Sequence, residues 1–132
     1  MIKTDIDIKD DIYNYIKPSK LTSSVNGKLS KTVRPNNSDN EDIVISILEN
    51  EAGQYQQAYI NVNIYVKDLD REGQSEENTI RLRELCKISD EVLSVIHGDT
   101  FRCTLERQRV MPVNGKEEHF INNRLFYQQI NE

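Results

Sequence analysis

The sequence predicts an α+β domain, in which a mainly antiparallel sheet of about four to six strands packs against two helices and carries protruding β-hairpins. The 132 residues fit one domain, residues 1–132. Apolar residues recur at helical spacing in two segments and at alternate positions in others. The segments follow as helix, hairpin, strand, strand, helix, strand and strand, an order in which strands pair with their sequence neighbours.

A helix opens the chain. Isoleucine and tyrosine recur at helical spacing across residues 7–16, and Pro18 ends this helix because proline lacks the N–H that a helix needs. The next segment has Asn26 and Gly27 at its centre. Both residue types accept positive φ, as a type I′ turn requires. We therefore expect a short hairpin that runs to about Arg34.

Two strands occupy the middle of the chain. Residues 43–48 are apolar on both faces, which indicates a central position in a sheet. In residues 58–66, Ala, Ile and Val alternate with Tyr and Asn, so one face is buried and the other is polar. The acidic loop at 68–75 resembles a calcium loop, but Thr79 stands where the bidentate Glu is required. We expect no metal and no cofactor.

A long helix and two strands complete the predicted domain. Ser75 is a candidate cap, and an apolar stripe extends the helix to about Ile96. Strands at about 100–110 and 118–130 then flank a second Asn-Gly pair, which favours a turn. The two strands therefore form a closing hairpin.

Composition and motifs argue against several classes of function. The formal net charge of −5 disfavours a general nucleic-acid coating, which draws on clustered Lys and Arg. Cys86 and Cys103 lie in apolar surroundings without CxxC spacing, so we expect reduced core residues and no metal site. No stretch approaches the roughly 20 apolar residues of a bilayer span, and no secretory signal is visible. We find no GxSxG, P-loop or GxGxxG motif and expect no enzyme.

Arginines near the end of the chain form a candidate partner surface. By strict alternation, Arg107 and Arg109 share a face with residues 101, 103 and 105, so an apolar face becomes charged toward its end. This strand either emerges into solvent or meets another subunit, where Arg is enriched. The polar face of residues 58–66 adds side chains that contact partners without full burial. The predicted interface residues are Tyr59, Asn61, Tyr65, Arg107, Arg109 and Arg124.

The alternating VNIYV strand, followed by a polar loop and one long helix, resembles the tail terminator, or tail completion, proteins of long-tailed phages and prophages. The resemblance rests on the order of elements and runs over nearly the whole chain. It covers the helix at 7–16, the segment 25–28, the strands at 42–47 and 58–66, the helix at 79–96 and the ribbon that ends at 125–128.

The resemblance implies a virion structural protein of the tail or neck, present in the host cytoplasm during assembly. Identical subunits, expected to number about six, would join head to tail into a ring that terminates the tail tube. The tail-tube protein would dock on one face and the head-tail connector protein on the other. DNA would pass through the lumen without specific binding, and no membrane would take part.

The middle of the chain is acidic, with fourteen acidic and five basic side chains in residues 35–100. In a ring, carboxylates that face the lumen would keep DNA from adhering to its wall. The candidate lumen-facing residues are Glu41, Asp42, Asp68 and Asp70. The alternative function is a small metal-dependent nuclease or other mobile-element enzyme, in which scattered residues such as Asp39, Asp42 and Asp68 converge.

Overall fold

The computed structural model describes residues 2–51 and 56–129. The helices in these ranges are α1 (Asp5–Ile16), α2 (Lys20–Ser24) and α3 (Thr79–Leu93). The strands are β1 (Leu29–Lys31), β2 (Ile43–Glu51), β3 (Gln57–Lys67), β4 (Leu69–Arg71), β5 (Gln74–Glu76), β6 (Val95–His97), β7 (Phe101–Pro112) and β8 (Glu118–Gln129). Of the predicted last strand, Ile130 lies outside the described residues. Among the described helices, none is long and apolar enough to cross a membrane.

Six strands form one sheet in the order β1-β2-β3-β8-β7-β6, and β4 pairs with β5 in a separate two-stranded sheet. β1 lies parallel to β2, whereas the other four pairings of the large sheet are antiparallel. The predicted α+β class, with a mainly antiparallel sheet packed against helices, is confirmed.

The apolar core lies between the helices and one face of the large sheet. The alternate residues 58 to 66 of β3 are buried on this face, as the period of two predicts. Ile8, Ile12 and Ile16 of α1 join the same cluster, as do Leu82 and Leu85 of α3. Each such side chain stabilises the fold by about 1.5–3 kcal/mol when fully buried.

The predicted hairpin around Asn26 and Gly27 is wrong. The chain instead forms α2 and then β1, which pairs in parallel with β2. The Asn26 side chain accepts a hydrogen bond from the Glu41 N–H at 2.8 Å, and a Cβ on Gly27 would lie 2.3 Å from the Glu41 carbonyl carbon. This Asn-Gly pair therefore allows two distant backbone segments to touch, and a local turn signal cannot reveal such a contact.

The long helix is shorter than predicted at both ends. The acidic loop before it contains the β4-β5 ribbon, and Asn78, not Ser75, caps α3 by accepting a hydrogen bond from the Arg81 N–H at 3.2 Å. At the other end α3 stops at Leu93. The next residues form β6, which pairs antiparallel with β7 in place of a further turn of helix.

A bulge in β7 decides which face its arginines occupy. The register with β8 shifts between Leu105 and Arg107, so Glu106 is the extra residue. One extra residue turns every following side chain to the opposite face of a sheet. Arg107 and Arg109 therefore lie on the face away from the helices, whereas Cys103 lies on the core face. The prediction that these arginines share a face with residues 101, 103 and 105 is wrong.

Candidate partner-binding face

The side of the large sheet that faces away from the helices carries polar and aromatic side chains, and we call it the open face. The open face is formed by β3, by β8 and by the part of β7 beyond the bulge. Its central members are Tyr59, Asn61, Asn63, Tyr65, Phe120, Asn122, Arg124, Phe126, Arg107, Arg109 and Met111. All six side chains that the sequence predicts as interface contributors are among them, because the bulge brings in the two arginines of β7.

One end of the open face is a cluster of two rings and a guanidinium. The Arg124 guanidinium carbon lies 4.5 Å from the centre of the Tyr59 ring, and that ring lies 5.3 Å from the Phe126 ring. Arg124 Nε is also 3.3 Å from a carboxylate oxygen of Glu106, the bulge residue. A guanidinium over an aromatic ring contributes about 0.5–2 kcal/mol, depending on exposure. The cluster therefore holds the Arg124 guanidinium beside the Tyr59 ring.

The other end of the open face repeats this arrangement. The Arg34 guanidinium carbon lies 4.2 Å from the centre of the Tyr65 ring, which stacks on Phe120 at 5.6 Å. Arg34 comes from the segment before β2 and not from the sheet itself. The two clusters thus lie at opposite ends of the open face.

Side-chain amides fill the centre of the open face. Asn122 Nδ2 donates to Asn61 Oδ1 at 3.1 Å and to Asn63 Oδ1 at 2.7 Å. Those two hydrogen bonds use both N–H groups of Asn122. The Nδ2 groups of Asn61 and Asn63 have no hydrogen-bond partner among the described residues, so they remain available as donors.

A groove of about 340 Å³ crosses this centre. It is lined by Leu48, Asn61, Asn63, Arg107, Arg109, Met111, Phe120, Asn122 and Arg124. Arg107 and Arg109 are exposed, and within the described ranges neither has an ion-pair partner. Guanidinium and amide donors together favour a partner that offers carboxylate or carbonyl oxygens.

Arg34 also ties the open face to two buried carboxylates. Its Nη1 and Nη2 donate to Glu118 at 2.6 and 2.7 Å, and its Nε donates to Asp42 at 2.8 Å. Asp42 accepts two further hydrogen bonds, from the Ser38 hydroxyl at 2.5 Å and from the Lys28 N–H at 2.9 Å. Burial alone would raise the pKa of Asp42, but these hydrogen bonds outweigh burial and hold that pKa below its ordinary value.

Two of the four carboxylates predicted to face a lumen are engaged in ion pairs inside the fold. Asp42 is 1% exposed and belongs to the Arg34 network. Glu41 forms a bidentate pair with Arg81 of α3, with N–O distances of 2.6 and 2.7 Å. This pair raises the pKa of the Arg81 guanidinium. Both carboxylates therefore join distant segments of the chain.

The other two carboxylates lie at the β4-β5 ribbon. Asp68 accepts a hydrogen bond from the Ser75 hydroxyl at 2.9 Å and lies 2.7 Å from His119 Nδ1. Asp70 accepts from the Gly73 N–H at 3.1 Å within the ribbon's turn and is exposed. The lumen assignment of all four carboxylates stays a prediction, and Asp70 is the one whose side chain is most open to solvent.

The two cysteines are free thiols, as expected. Burial raises the pKa of Cys103 to about 12 and also raises the pKa of the half-buried Cys86. A thiol whose pKa is raised carries little thiolate at neutral pH and is a poor nucleophile. Within residues 2–51 and 56–129, no group of three or more His, Cys, Asp or Glu side chains could hold a metal ion.

No protein-family model and no curated protein matches the sequence. The candidate site therefore rests on the geometry of the open face. The contributors that were not predicted include Arg34, Phe120 and Phe126. Strand alternation in β8 could have found the two phenylalanines, because they share alternate positions with Arg124. No local signal reveals Arg34, since its Glu118 partner is 84 residues away.

Proposed function

We propose that the chain is a structural subunit of a phage or prophage tail or neck, and that its copies form a ring that terminates the tail tube and joins it to the head connector. The order α1, β2, β3, α3, β7 and β8 supports this proposal, because it follows the helices, strands and closing ribbon on which the resemblance to tail terminator proteins rests. The hairpin at residues 25–28 is the part of the resemblance that the fold does not share. The function is then geometric, and no residue is assigned a catalytic role.

The observation that carries the proposal is the composition of the open face. Interfaces between proteins are enriched in Tyr, Phe and Arg, and the residues that dominate binding energy are most often Trp, Tyr and Arg. The open face concentrates these residue types on one surface, and it leaves the guanidinium groups of Arg107 and Arg109 exposed and without an ion-pair partner among the described residues. Such a surface fits a protein partner that carries carboxylates.

The proposed partners are further copies of the chain, the tail-tube protein and the head-tail connector protein. DNA passes through the ring without specific binding, in line with a net charge of −5. The proposed location is the virion, after assembly in the host cytoplasm.

Light scattering of the purified protein over a concentration series, with and without the tail-tube protein, tests the proposal. We expect a closed oligomer of about six subunits, formed alone or on addition of the tube protein. A chain that stays monomeric under both conditions contradicts the ring. A monomer that binds a divalent cation and cleaves DNA points instead to the nuclease alternative.

A further inference from the structure

Two strands of the large sheet extend past the short strands beside them. β1 pairs with Ile43–Ile45, and residues 46–51 of β2 extend past its end. β6 pairs with Arg102–Thr104, and residues 106–112 of β7 extend past its end. We call these segments the β2 half-edge and the β7 half-edge. A strand edge of this kind is a template for pairing with another chain unless something prevents it.

The two half-edges carry opposite charges on the same face of the sheet. Glu49 and Glu51 are exposed on the β2 half-edge, in register with residues 59 and 57 of β3. Arg107 and Arg109 are exposed on the β7 half-edge. Each half-edge therefore presents two like charges that a partner of opposite charge would neutralise.

Strand direction makes the two half-edges compatible. β2, β3, β8 and β7 are joined by three successive antiparallel pairings, so β7 runs antiparallel to β2. A second copy placed beside the first in the same orientation therefore sets its β2 half-edge antiparallel to the β7 half-edge of its neighbour. The open faces of the two copies then lie on the same side.

We propose that copies of the chain associate head to tail, with the β7 half-edge of one copy docked on the β2 half-edge of the next. Arg107 and Arg109 of one copy then face Glu49 and Glu51 of the other. This inference rests on the proposed ring function and names the contact between its subunits. The same charges repel when two identical half-edges meet, so they disfavour a two-fold dimer and select the heterologous contact from which rings are built.

The positions of the half-edges also fit a closed ring. The pairings of β7 with β8, of β8 with β3 and of β3 with β2 place Arg109 at the same level across the sheet as Val44. The β2 half-edge begins further along β2, at residue 46. The half-edges thus occupy diagonally opposite corners of the sheet, and docking offsets each sheet along the strand direction. Closing strands into a barrel requires such a stagger, with strands tilted from the axis.

Paired charge reversals test the contact. The variants are R107E/R109E and E49K/E51K, and each is expected to raise the concentration needed for assembly at least about tenfold, because close interfacial charge pairs couple strongly. An equal mixture of the two variants restores complementary charges at every contact. The variant that carries all four reversals does the same. Both are expected to assemble as the wild type does, by light scattering with and without the tail-tube protein.

The control is R71E/K87E, which changes the net charge as R107E/R109E does but at exposed positions away from both half-edges. It is expected to assemble normally. Far-UV circular dichroism and thermal unfolding establish that each variant is folded. If the wild type assembles and both reversal variants still assemble, the proposed contact is wrong but the ring is not. The same conclusion follows if the mixture of the two variants fails to assemble. A wild type that never assembles overturns both.

Discussion

At the scale of single residues, Gly27 is a position where the fold has no room for a side chain. A Cβ there would lie 2.3 Å from the Glu41 carbonyl carbon and 2.5 Å from the Asp42 N. Both atoms belong to the backbone, so G27A must displace the segment that leads into β2. We expect a loss of about 1–3 kcal/mol in the free energy of unfolding by urea titration. K28A, at the exposed neighbour, should change it by less than about 0.5 kcal/mol. Equal stability of the two variants contradicts this account.

Ser89 on α3 is a position where a substitution is expected to stabilise the fold. Its side chain is fully buried, and its hydroxyl has no hydrogen-bond partner among the described residues. Removing a buried hydroxyl without a partner removes a desolvation cost, and Ala is the better helix former. We expect S89A to raise the free energy of unfolding by about 1 kcal/mol, seen as a higher Tm. S94A is the control, because the Ser94 hydroxyl donates to the Asp90 carbonyl and its loss should destabilise.

At the scale of elements, the sequence predicts what local periodicity determines. The apolar repeat of α1 and the alternation of β3 are local patterns, and the structure confirms both. The bulge at Glu106 could not be predicted, because the polar and charged run at residues 106–109 fits a strand with or without an extra residue. Its long-range pairing with β8 selects the register. The prediction placed Arg107 correctly on a strand and wrongly on the core face for this reason.

The residues of the candidate site also differ in whether a local sequence pattern predicts them. Tyr59 and Asn61 were predicted because a period of two assigns them to the polar face of their strand. The network of Arg34 with Asp42 and Glu118 was not predicted. It joins segments that are far apart in sequence, and nothing in the spacing of isolated charges reveals which of them become buried partners.

Arg34 should contribute strongly to stability because it connects three elements. It pairs with carboxylates before β2 and at the start of β8, which are 1–2% exposed, and it covers the Tyr65 ring of β3. R34M leaves buried Asp42 without a cation and leaves buried Glu118 with Lys116 alone at 3.6 Å, so we expect a loss of about 3–5 kcal/mol by urea unfolding at neutral pH. R71M breaks an exposed pair with Glu76 and should cost less than about 1 kcal/mol. Similar losses in both variants would falsify the buried-network account.

At the scale of the whole molecule, the net charge of −5 does not describe the open face. Glu41 and Asp42 are offset by arginines within the fold, whereas Arg107 and Arg109 have no ion-pair partner among the described residues. Association through the half-edges should therefore weaken as salt screens it. We expect the assembly concentration to rise between about 0.05 M and about 0.5 M salt in a light-scattering series. Assembly that strengthens with salt indicates an apolar contact instead.

The response of the whole fold to acid follows from the Arg34 network. The pKa of Asp42 in the folded chain lies below its ordinary value, so its stabilisation is complete above the ordinary pKa of about 3.9 and is lost as the pH falls through the folded value. In R34M, Asp42 stays buried without its cation, so its pKa rises and protonation relieves the cost. The difference in unfolding free energy between wild type and R34M should therefore shrink from about pH 7 to about pH 4. Urea titrations across that range measure it, and a difference that stays constant shows that Arg34 stabilises the fold by packing on Tyr65 and not by its charge.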